Sequence, residues 1–252
     1  MGKTTDKMRK WRRAVLAASL MAAPITYIVV RSHILLGRTA ELIAVSDKFP
    51  RKYDVGDRSL NPMMYIALGD STAAGVGVSR IEETYPYLVA KALARSRGRC
   101  VHVVNLAKSG ARIEDVEALQ LPALKDRRPD LITMSIGAND ATHRTNELYF
   151  QSFYESVLNS LDAPEILIAS TPDMACAPAI QPFYGNFAGA RAQDQNRWLK
   201  LYTRNSHVKL VDIFSEGKLD YNKDSGLYAS DRFHPSAKGY AVWAELFVKN
   251  LQ

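Results

Sequence analysis

The fold class this sequence predicts is a doubly wound α/β sandwich, and three observations predict it. From Met63 to the C-terminus, short apolar runs alternate with longer amphipathic ones; the apolar runs are rich in Val and Ile and bounded by Gly, Pro, Asp or Asn; no internal repeat or low-complexity tract interrupts the alternation. Strict βαβ alternation implies a mainly parallel sheet with helices on both faces, and right-handed crossovers leave a three-layer α/β/α arrangement. A length of 252 residues suits one such domain plus an appendage, and 47% hydrophobic with 23% charged residues is an ordinary globular balance.

Five strands are expected, in the runs at 63–69, 100–107, 130–137, 165–171 and 208–214. Helices are expected at 85–97, 146–161, 186–205 and 236–252, with a short piece near 113–124. Each long helix carries apolar residues three and four apart, such as Leu88, Ala92 and Leu93, or Tyr240, Trp243, Ala244 and Phe247. The last group reads as core rather than as a platform for substrate.

The N-terminus is of a different kind. Lys3, Lys7, Arg9, Lys10, Arg12 and Arg13 stand against Asp6, a net of +5 in thirteen residues, which leaves only +2 of the chain's +7 for everything else. That distribution argues against a nucleic-acid binder. The basic flank precedes Ala14 to Val30, "AVLAASLMAAPITYIVV", seventeen residues without a charge, which Arg31 can follow by snorkelling and "ILLG" can lengthen. A cleaved signal peptide is one rival, though its small-x-small site is poor, and a buried or peripheral helix is another. The expected organisation is a basic cytoplasmic flank at 1–13, a transmembrane anchor at 14–36, a connector at 37–62 and the α/β domain at 63–252. With the positive flank inside, the domain lies outside the membrane, or is secreted if the segment is cleaved.

In open α/β sheets, ligands sit beyond the carboxyl ends of the strands, so the residues that follow each strand carry the chemistry. The first strand is followed by Gly69-Asp70-Ser71, the second by Ser109-Gly110, the third by Gly137-Ala138-Asn139-Asp140, and the last by Asp231-Arg232-Phe233-His234. Acyl transfer by a serine needs a base for the Oγ proton, a carboxylate that holds the base in one tautomer, and fixed donors where the carbonyl oxygen becomes negative. His234 and Asp231, three residues apart on a tight turn, suit the first two needs, and the Ser71 amide, the Gly110 amide and the Asn139 side chain suit the third. Gly110 has no Cβ to obstruct an approaching substrate.

These four segments, in this order, resemble the sequence blocks of the SGNH/GDSL hydrolase superfamily over residues 63 to 250. The resemblance implies Ser71 as nucleophile, Asp231 and His234 as the rest of a triad, and Gly110 and Asn139 with the Ser71 amide as the oxyanion hole. It implies a serine esterase, here a membrane-anchored one, that takes a small-molecule ester, a lipid or an acylated sugar and needs no cofactor. An acyltransferase, a thioesterase, a lysophospholipase, or a membrane-tethered binding protein without chemistry would share the same residues. Thr72 stands where the family's name has Leu, and the segment at 172–187 matches no motif, so substrate choice is expected there. An ordinary α/β-hydrolase fits less well, because its G-x-S-x-G elbow would need Gly where Ala73 stands.

Several residues have plainer readings. Ser109 reads as a loop residue. Asp70 and Asp140 read as loop-fixing groups and no metal is expected. His33, His102, His143 and His207 read as structural or solvated, with His143 near enough to Asn139 to matter. With a flavodoxin-like strand order of 2-1-3-4-5, Cys100 and Cys176 lie too far apart for a disulfide and are expected as free thiols.

Overall fold

The computed structural model describes residues 30–181, 184–204, 206–220 and 222–251, together with residues 8, 27 and 28. Most of the basic flank and of the uncharged run at 14–30 therefore lies outside the described residues, and so does most of the expected anchor. Among the described residues, no helix is long and apolar enough to cross a membrane.

The chain opens with helix α1, residues 30–46, and runs through strand β1 (Lys52–Val55) into β2 (Met63–Gly69). Then follow α2 (Ser71–Ala74), α3 (Tyr85–Arg97), β3 (Val101–Asn105) and α4 (Ile113–Asp115), the last continued by a π turn at Val116–Gln120. The remaining elements are β4 (Leu131–Ser135), α5 (Ala138–Thr142), α6 (Glu147–Ser160), β5 (Glu165–Ala169), α7 (Gly185–Thr203), β6 (Val208–Val211) and α8 (Ala237–Lys249).

The sheet has the order β1-β3-β2-β4-β5-β6. Strands β2 to β6 are parallel to one another and keep the expected 2-1-3-4-5 order among themselves. The expectation of a five-stranded parallel sheet is corrected by a sixth strand, β1, which pairs antiparallel with β3, Tyr53 opposite Val103 and Val55 opposite Val101. The supposed connector at 37–62 is thus ordered structure, the end of one helix and a sheet edge. Strand β1 escapes detection because Lys52, Tyr53 and Asp54 remain at least partly exposed and only Val55 is buried, so it lacks the apolar run of a central strand.

The period-2 geometry of the strands divides the core. Tyr65 and Ala67 face α3 and α8, where Tyr85 stacks on Phe247 with ring centroids 4.8 Å apart. Ile66 and Leu68 face α6, packed on Phe150 and Tyr154. Tyr240, Trp243 and Phe247 are buried core residues, as their spacing predicts, and Cys100 and Cys176 are both free. This frame holds the carboxyl ends of β2, β3 and β4 side by side, and the loops of interest leave from them.

Candidate active site

Gly69 ends β2 with φ of +134°, and a Cβ there would lie 2.0 Å from the Ser135 carbonyl oxygen, so neither the conformation nor the space admits a side chain. The turn places Asp70 as the cap of α2, its Oδ1 accepting from the Thr72 amide at 2.9 Å and from the Thr72 hydroxyl at 2.8 Å. Thr72 has then spent its one proton, so the Ser135 hydroxyl, 2.8 Å away, donates to it. Burial raises the Asp70 carboxyl above its ordinary range, and the two Thr72 donors and the His234 charge offset only part of that. Ser71 follows as the first helical residue, where an amide has no acceptor within the helix.

Ser71 meets His234, 163 residues away in sequence, and through it Asp231. The His234 Nε2 lies 2.9 Å from Ser71 Oγ, and its Nδ1 lies 2.6 Å from Asp231 Oδ2. An ionised carboxylate only accepts, so Nδ1 carries the proton and Nε2 is free to accept from the serine hydroxyl. The Asp231 side chain curls back along its own turn, and its Oδ1 accepts the Phe233 and His234 amides, each at 3.0 Å. Burial acts to raise this carboxyl, but the His234 hydrogen bond, the imidazole charge and the two amides outweigh it and hold Asp231 below the usual carboxylate range. It therefore stays ionised at neutral pH.

Gly110 and Asn139 border the same cleft as Ser71 and His234. Gly110 is exposed, with φ of +81°. One N–H of the Asn139 amide donates to the Ala111 carbonyl at 2.9 Å, which fixes the side chain and leaves the second N–H for a ligand. Every residue expected at the site is thus brought to one place. His143 lines this cleft as well, its Nδ1 2.9 Å from the Asn139 carbonyl oxygen, whereas His102 is on β3 and pairs with Asp54. Asp140 accepts the Ile113 amide, and Ser109 remains a loop residue.

Gln120 is a member of this scaffold that sequence reasoning misses. Its side chain clasps the Gly69 peptide from both sides, accepting from the amide at 2.9 Å and donating to the carbonyl at 2.8 Å. A lone Gln at the end of a π turn has no pattern by which to find it. Helix α1 is the other omission, since the Thr39 hydroxyl lies 3.1 Å from Asp231 Oδ2. The segment at 172–187 contributes to two cavities that meet at Ser71. Met174 and Ala177 line a small one of about 40 Å³, and Ala179 and Ile180 line the larger cleft of about 440 Å³.

Comparisons with known proteins bear on the fold and the family. Residues 67–242, more than half of the chain, match the model of the GDSL-like Lipase/Acylhydrolase family. The spore germination lipase LipC of Bacillus licheniformis is 23% identical over 206 residues, covering 73% of this chain and 93% of LipC. Among solved structures, the lipase Lip_vut3 from a goat rumen metagenome superposes with a TM-score of 0.58 at 20% identity, covering 73% of this chain and 95% of that one. The acetylxylan esterase Axe2 from Geobacillus stearothermophilus gives a TM-score of 0.54 at 21% identity, with 78% and 96% covered. On the match over 67–242, the chain belongs to the GDSL-like lipase/acylhydrolase family and is a hydrolase of ester bonds.

Proposed function

We propose that this protein is a membrane-anchored serine esterase that cleaves carboxylic esters through an acyl-enzyme on Ser71. The observation that carries the reading is the continuous relay from Ser71 Oγ through His234 to Asp231, at 2.9 Å and 2.6 Å. In the first half-reaction Ser71 Oγ bonds to the ester carbonyl carbon while His234 Nε2 takes the hydroxyl proton. Ionised Asp231 stabilises the imidazolium that results. Negative charge on the carbonyl oxygen is met by the Ser71 and Gly110 amides and the uncommitted N–H of Asn139. The bond to the alcohol then breaks, and His234 returns the proton to the departing oxygen. Water repeats the sequence, with His234 as base, and releases the acid and free Ser71.

The anchor belongs to the same reading. It is supported by the uncharged run at 14–30 behind a basic flank, and by the exposed Tyr27, Ile28 and Val30 at its described end. The names borne by the relatives, lipase and acetylxylan esterase, put lipid esters and acylated sugars among the substrate classes.

The test is labelling with a fluorophosphonate, which reacts only with an activated serine. Wild type should be labelled on Ser71, and Ser71→Ala should lose both the label and ester hydrolysis. Asn139→Ala should retain the label slowly and lose about 100- to 1,000-fold in turnover. Labelling elsewhere, or full activity in Ser71→Ala, contradicts the mechanism.

A further inference from the structure

Helix α1 lies outside the stretch at 67–242 that matches the family, yet it forms part of the site. Its side chains at 31, 35, 39 and 43, one helical turn apart, are all partly buried, joined near the end of the helix by those at 42 and 45 and by the buried Ser46. Three polar side chains hold it down. Arg31 donates to the carbonyls of Pro178 at 2.5 Å and Gln181 at 3.2 Å, Arg38 to that of Ser230 at 3.0 Å, and the Thr39 hydroxyl faces both Leu35 O at 3.0 Å and Asp231 Oδ2 at 3.1 Å. The cleft of about 440 Å³ runs between this helix and the domain, with Leu35, Leu36 and Ile43 on the helix side, Ile180 on the other, and Ser71 at its margin.

We propose that α1 is a substrate-binding element, which together with the domain encloses an unbranched aliphatic chain of the ester cleaved at Ser71. The inference rests on the reading of Ser71 as the nucleophile. The cleft has the volume of a site that holds most of a small ligand. The helix contributes three aliphatic side chains to it against two hydroxyls, and one of those, Thr39, already faces Asp231. A sugar would leave hydroxyls without partners on that wall, whereas a hydrocarbon chain loses nothing there. Each methylene that leaves water for such a wall raises kcat/KM by up to about fourfold. The chain can belong to the acyl or to the alcohol half, and the chemistry of the cleft is the same for both.

Full-length protein in detergent is tested with two ester series, p-nitrophenyl alkanoates and linear alkyl acetates, each from two to twelve carbons. In the series whose chain enters the cleft, kcat/KM should rise at least tenfold from the shortest to the longest members. The response of one series assigns the chain to its half of the ester. Leu35→Trp and Ile43→Trp should each lower the long-to-short ratio about tenfold, and Leu36→Gln, at an exposed rim position, should lower it severalfold while keeping the fold. The inference is overturned if neither series responds to length, or if the ratio is unchanged in Leu36→Gln and in each folded tryptophan variant. A wild type that hydrolyses no ester and takes no fluorophosphonate on Ser71 refutes the esterase reading instead, so the two failures are distinguishable.

Discussion

The buried carboxyl of Asp140 has one oxygen on the Ile113 amide at 3.1 Å, while its Oδ1 has no hydrogen-bond partner among the described residues. Burial pushes this group up from 3.8 to about 6, against the partial pull of donors that include the Ile113 amide. A carboxyl raised on folding adds stability below its unfolded value, and that contribution is lost as pH rises through the folded one. Two units correspond to about 3 kcal/mol, lost between roughly pH 4 and 6. Asn at this position keeps the acceptor and cannot ionise. The urea stability of Asp140→Asn minus that of wild type should therefore climb by about 3 kcal/mol from pH 4 to 7 and level off above. A flat difference would show that Asp140 ionises as freely in the fold as out of it. The same scale explains Thr72. Its departure from the family's Leu has a local role, because the hydroxyl holds Asp70 and takes a hydrogen bond from Ser135.

Helices α3 and α8 cover one face of the sheet through aromatic contacts, with Tyr85 stacked on Phe247 and tilted against Tyr240. Removing the ring in Phe247→Ala leaves a cavity against fully buried neighbours, and should cost about 3–5 kcal/mol in urea or thermal unfolding. A loss under 1 kcal/mol would mean that α8 closes over the gap. These elements are legible in the sequence because their partners are the sheet itself, so burial writes a period of 3.6 on the helices and near-continuous apolar runs on β2, β4 and β5. The turn at 231–234 is legible for a different reason, since the spacing of Asp231 and His234 lets one carboxylate take an imidazole and two amides. Strand β1 and helix α1 are not legible in the same way. The exposed residues of β1 look like a linker, and the 31, 35, 39, 43 face of α1 matches a surface formed by loops near 180 and 230. Nothing near either segment in sequence announces its partner. Gln120 escapes for the same reason, since what it recognises is a peptide bond.

Over the whole molecule, the net charge of +7 is concentrated ahead of the uncharged run, and the proposed orientation follows from that asymmetry. A reporter fused after Gln252 should be open to protease added to intact spheroplasts, and one fused before Met1 should be protected. The reverse pattern, or protection at both ends, would refute the orientation. The contact between Thr39 and Asp231 spans 192 residues, from near the start of the described chain to near its end. It also sets an order of events in biogenesis. A chain made from its N-terminus exposes α1 long before the turn at 230–234 exists, so the part of its seat formed by Ser230 and Asp231 is missing until the last strand and the loop beyond it have emerged. The relay from Ser71 is closed by that same late turn. On the proposed mechanism hydrolytic competence therefore comes late in synthesis, and a chain arrested before Asp231 lacks both the proposed base and part of the surface on which its first helix docks.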